Sequence, residues 1–63
     1  MNPYIVLIWD IENQTYLKPE SFTSKSKAFK FAEETRNTGD GYEYSAQVYE
    51  WLPTGLNGQP LEK

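Results

Sequence analysis

The run Tyr4-Ile5-Val6-Leu7-Ile8-Trp9 constrains this chain more than any other segment. It is unbroken in apolar character and rich in β-branched and aromatic residues, so it reads as a strand buried on both faces. The rest of the 63 residues offers the periodicity of one helix, and one helix covers one face of a sheet. Something else is expected on the other face, which directs attention to binding before chemistry.

The length allows one domain. A domain of this size buries only about 60% of the surface that its unfolded chain exposes, and such domains are commonly reinforced by disulfides, metals or association. There is no Cys and no His. Disulfides and thiolate metal sites are therefore excluded, and the commonest general base is absent. The chain instead carries five Tyr, three Phe and two Trp, side chains that bury large areas and are enriched at interface anchor points. The net charge of −3 and a pI near 4.7 argue against duplex nucleic acid as a partner, since that requires a basic face. No segment is long enough to span a membrane, and no basic stretch precedes the apolar run, so neither a membrane helix nor a signal peptide is expected. The reading is of a cytoplasmic chain, in a bacterial or a host cell.

The first strand is expected over Pro3 to Ile11, with a polar turn at Glu12-Asn13-Gln14-Thr15. A short second strand follows at Thr15 to Lys18. Pro19 cannot donate to a ladder, which places that strand at an edge. Ala28, Phe31, Ala32 and Thr35 recur at helical spacing, with Phe29 widening the face and Thr23 or Ser24 as cap. Asn37 or Gly39 suits a left-handed helix stop. The third strand runs from Tyr42 to Leu52, with Tyr44, Ala46 and Val48 on one face and Ser45, Gln47, Tyr49 and Trp51 on the other. The predicted fold is α+β: a ββαβ domain over residues 1–53, its three-stranded antiparallel sheet in the order 2-1-3, with one helix on one face. Residues 54–63 read as a loose tail, in which Asn57-Gly58 is suited to a small turn.

Small Ala46 and Val48 look like acceptors of the helix, so Tyr49 and Trp51 are expected on the uncovered side. Strand one supplies either Tyr4, Val6 and Ile8 or Ile5, Leu7 and Trp9 to that side, and the second set, wholly apolar, is the better suited to the core beneath the helix. Tyr4, Val6 and Ile8 then join Tyr49 and Trp51 in a partner-binding patch. The tail, through Leu56 and Leu61, is the alternative cover for that patch.

A second candidate lies at the helix start. Lys25 and Lys27 stand in the first turn, against the helix dipole, beside Ser24 and Ser26 and followed by Lys30. Ser24, Lys25, Ser26, Lys27 and Lys30 thus form a possible anion site, while the plain alternative is a solvated face. The carboxylates Asp10, Glu12, Glu20, Asp40, Glu43 and Glu50 are dispersed, and nothing in their spacing pairs two of them for acid–base work. Asn37-Thr38-Gly39-Asp40-Gly41 lacks the acids of a calcium loop. No enzyme activity, metal or cofactor is expected.

The plan of apolar strand, polar hairpin, Phe22-x-Ser24 before a helix with Ala28 and Phe31-Ala32, then Tyr44-x-Ala46-x-Val48-Tyr49, resembles small ββαβ accessory proteins of bacteriophages and mobile elements. That resemblance implies a stand-alone protein that binds and modulates a host macromolecule, inhibitors of nuclease defence systems being one such class. The expected function is association through the sheet face, with itself or with a larger protein. The alternative is single-stranded nucleic acid stacked on the sheet aromatics, with the helix lysines along its phosphates.

Overall fold

The computed structural model describes residues 3–38 and 43–62. It is a small α+β unit, one helix against one face of an antiparallel sheet. Strands β1 (Tyr4–Asp10), β2 (Thr15–Tyr16) and β3 (Glu20–Phe22) precede helix α1 (Lys25–Arg36), which is followed by β4 (Tyr44–Leu52) and β5 (Gly55–Leu56). The sheet has five strands rather than three, in the order β2-β1-β4-β5, with β3 also paired to β1. The sheet is larger than expected for two reasons: the edge strand beside β1 is split, and the tail contributes a strand.

The split follows from Pro19. β2 pairs Trp9 with Tyr16, and β3 pairs Val6 with Glu20. Residues 7 and 8 of β1 therefore oppose residues 17, 18 and 19, an excess of one, which is a β-bulge. The Leu17 N–H still reaches the Ile8 carbonyl at 3.0 Å. Pro19 has no N–H to give and is tolerated at such an interruption.

The turn between β1 and β2 occupies residues 11–14 and is held by Asp10. Its Oδ1 accepts from the Asn13 N–H at 3.2 Å and its Oδ2 from the Asn13 amide at 2.8 Å. These bonds favour the ionised carboxyl and hold its pKa below the ordinary range, against the opposing effect of desolvation. Gln14 closes the turn at φ 53°, a left-handed conformation that glycine and asparagine adopt more readily.

Ser24 is the helix cap, its hydroxyl accepting from the Lys27 N–H at 3.4 Å. At the other end Asn37 has φ −92° and is not left-handed, while Gly39, Asp40, Gly41 and Tyr42 lie outside the described residues. Ala28 and Ala32 bring the helix close to the sheet, over Val6 and Ile8 of β1 and Ala46 and Val48 of β4. Phe22 and Phe31 close one side of this layer, ring centroids 5.3 Å apart, with Tyr4, Tyr44, Phe29 and Leu61 around the rim.

Residues 54–62 are not a loose tail. Leu52-Pro53-Thr54-Gly55 turns the chain, with proline and glycine at the positions that a type I turn prefers. β5 then pairs with β4, Trp51 opposite Leu56. Gly55 has φ 127°, which a side chain would strain. Asn57 makes a side-chain turn, its Oδ1 accepting from the Gln59 N–H at 3.3 Å.

Candidate functional site

The register of β1 against β4 decides which side chains share a face. Val6 opposes Val48 and Ile8 opposes Ala46, while Ile5, Leu7 and Trp9 oppose Tyr49, Gln47 and Ser45. The first set is the core: Val6 is 0% exposed and Ile8 5%. The assignment made from sequence is thus reversed for β1. Tyr4 packs against the core, Val6 and Ile8 are under the helix, and Tyr49 and Trp51 lie on the opposite side of the sheet. These five residues do not form one patch. The reason is size. A helix that approaches through Ala28 and Ala32 leaves room for valine, isoleucine and alanine beneath it and none for an indole such as Trp9.

The uncovered face is therefore built from Ile5, Leu7 and Trp9 of β1 and Ser45, Gln47, Tyr49 and Trp51 of β4. Tyr16 of β2 and Leu56 of β5 extend it, paired with Trp9 and Trp51. Tyr16 is 64% exposed, Trp51 43% and Leu56 40%. Trp9 and Tyr16 meet edge to face, centroids 4.8 Å apart, a cross-strand pair that fixes both rings. The Tyr49 hydroxyl donates to Gln47 Oε1 at 3.1 Å. Leu7, Trp9, Tyr16, Ser45, Gln47 and Tyr49 line a shallow depression of about 190 Å³. Among the described residues, no strand position on this face carries a charge. The ionised strand residues Asp10, Glu20 and Glu50 pair with Tyr44, Val6 and Tyr4, on the helix side.

Sequence reasoning set Ser45, Gln47, Tyr49 and Trp51 on one face but favoured Tyr4, Val6 and Ile8 over Ile5, Leu7 and Trp9 as their companions and did not include Tyr16. The signal lay in side-chain volume, since two alanines on the helix call for small partners below.

Both sheet edges are occupied or broken. On β4 the carbonyls that point away from β1 accept, at Ala46 from the Arg36 guanidinium at 2.8 Å, at Val48 from the Leu61 N–H at 2.7 Å and at Glu50 from the Asn57 N–H at 3.0 Å. The tail thus lies along the β4 edge, and Leu61 joins the rim of the helix-side core. The other edge carries the bulge and Pro19.

At the helix start Ser24 is engaged as cap, its Oγ 3.0 Å from that of Ser26. Lys25, Ser26 and Lys30 line a groove of about 550 Å³ with Phe29 and Glu33. Lys27 is not among its walls. The Lys25 ammonium stands 6.0 Å from the Phe29 ring centre, at the outer limit of a cation–π contact. One helix alone forms this groove, and its walls are largely exposed side chains, including two lysines free to change rotamer at little cost. These lysines lie on the helix, across the sheet from the aromatic face. Among the described residues no three Asp or Glu side chains gather as metal ligands, and no helix is long and apolar enough to cross a membrane.

Comparison with known protein families, characterised proteins and solved structures finds no match to this chain.

Proposed function

We propose that this chain is a non-enzymatic binding protein of the cytoplasm that associates with a protein surface through the uncharged face of its sheet. One observation carries the reading: every strand position on that face is apolar, aromatic or neutral, in a chain of which 24% is charged. Charge is depleted and Tyr and Trp are enriched at the centres of protein interfaces. Trp9 and Tyr16 hold one another, as do Tyr49 and Gln47, so little side-chain freedom is lost on contact. Trp9, Tyr16, Tyr49 and Trp51 are the anchors in this reading. A host protein, as in a phage-type inhibitor of a nuclease defence system, falls within it. Single-stranded nucleic acid is disfavoured, because Lys25, Lys27 and Lys30 stand on the helix, across the sheet from the rings.

Photo-crosslinking tests the proposal. A benzophenone side chain at Tyr16 or Gln47 is expected to yield protein adducts in cells that express the chain. The same probe at exposed Glu34 of the helix is expected to yield none. Adducts at Glu34 and none at Tyr16 or Gln47 would refute the reading.

A further inference from the structure

We infer that the surface covering this face is a second copy of the chain, packed sheet to sheet about a two-fold axis. The inference rests on the association reading above and names its partner.

The first argument is the poverty of the core. Its largest fully buried side chains are two valines, Val6 and Val48, and the rest of it is Ile8, Ala28, Ala32 and Ala46. Both tryptophans and Leu7 lie on the other side of the sheet. A domain this small without disulfides or metal gains from association, and a second copy would bury the residues that the helix leaves out.

The second argument is self-complementarity. A two-fold contact brings a patch against itself, so a charged patch repels its own image. Among the described residues, no strand position of this face carries a charge, and Glu43 stands just beyond the end of β4. The carboxylates behind the net −3 include Asp10, Glu20 and Glu50 on the helix side, away from such a contact.

The third argument concerns stoichiometry. A sheet grows by strand addition when an edge is free. Here Arg36, Leu61 and Asn57 cap the β4 carbonyls, and the bulge interrupts the opposite edge. Face-to-face contact remains, and it closes at two copies. Two strands, β1 and β4, span about 10 Å across and about 23 Å along, and β2 and β5 add two residues each at opposite ends. That is roughly 300 Å² per copy in projection, below the size of standard interfaces, and it implies a weak dimer that dissociates on dilution.

Light scattering on the full chain, from low micromolar to near millimolar concentration, tests this. The mass is expected to rise from 7.3 kDa to twice that value, and the melting temperature to rise with concentration. Gln47→Lys and Tyr16→Lys, both at exposed positions, place like charges opposite each other and are expected to hold the mass at 7.3 kDa with unchanged circular dichroism. A wild-type chain that stays monomeric, with a melting temperature independent of concentration, overturns the second copy as occupant. So does a dimer that both lysine variants leave intact. Crosslinks from Tyr16 or Gln47 to a protein of different mass would then leave the association reading standing, and no crosslink at all would remove both.

Discussion

Replacing Val6 by Thr and, separately, its neighbour Ile5 by Thr is a sharp test of which face the helix covers. Thr is nearly isosteric with Val, so Val6→Thr leaves almost no cavity and mainly inserts a hydroxyl. Val6 is 0% exposed, between the helix alanines and Val48, among carbon atoms. A buried hydroxyl without a partner costs about 1–3 kcal/mol by mutational measure. A domain of this length has a total stability of roughly 3–9 kcal/mol, at ~0.05–0.15 kcal/mol per residue. Val6→Thr should therefore remove a large fraction of it, lowering the melting temperature by roughly 4–8 °C per kcal/mol. Ile5 is only partly buried on the opposite face, where a hydroxyl can turn toward water. Ile5→Thr removes the δ methyl and turns the γ methylene into a hydroxyl, about 1 kcal/mol for partly buried carbons on a scale of ~0.8 per buried CH₂. Urea titration followed by circular dichroism at the lowest workable concentration keeps association from protecting Ile5. If Ile5→Thr proved the more damaging substitution under those conditions, the helix would have to cover the Trp9 face, and the site built above would be wrong.

Four further predictions concern the turns and the tail. Gly55→Ala should destabilise the chain by about 1–2 kcal/mol through backbone strain alone, because an added Cβ meets nothing within 4 Å; a urea midpoint matching wild type would refute the left-handed reading of that turn. Gln14→Gly should be neutral or raise stability by up to ~1 kcal/mol, since relief at φ 53° offsets the added chain entropy. Asp10 has a folded pKa below the ordinary value of about 3.9, so its contribution is full above that value and lost as pH falls through the folded one. Asp10→Asn should accordingly lower the urea midpoint at pH 7 and flatten its decline in acid; an unchanged acid limb would count against the Asn13 contacts as the cause. Leu61→Ala should speed amide exchange at Leu61 and loosen the tail while leaving β1 protected, and uniform loss of protection would mean that the tail belongs to the core itself.

Much of the architecture was legible because it rests on local chemistry. Ser24 as cap and the spacing of Ala28, Phe31, Ala32 and Thr35 place the helix, and Tyr4 to Trp9 places the central strand. The facing of that strand was not legible in its hydropathy, only in side-chain volume. A run apolar at every position carries no period-two signal, so parity had to come from its partners. Ala46 and Val48 were read correctly as acceptors of the helix, but their partners Val6 and Ile8 depend on a register that hydropathy does not contain. β5 was missed although Pro53 and Gly55 stand at the preferred turn positions, because only two residues pair beyond that turn. At the helix start Lys25, Ser26 and Lys30 share a groove, as their spacing suggested, while Ser24 turns to the Lys27 N–H and Lys27 stands outside that groove.

The bulge at residues 17–19 has a consequence for how this chain tolerates change. Tyr16 and Phe22 are an even number of residues apart, and in an uninterrupted strand both would point the same way. The additional residue lets Tyr16 stand beside Trp9 on the outer face while Phe22 meets Phe31 beneath the helix. The segment thus works as a parity switch between the two sides of the sheet. Shortening it by one residue, for instance by deleting Lys18, would be no mere loop trim. It would exchange allegiances, sending Phe22 outward or Tyr16 inward, and so set the closure of the core against the integrity of the binding face. Length in this stretch is therefore under tighter constraint than the identity of Lys18, an exposed residue that pairs with neither side.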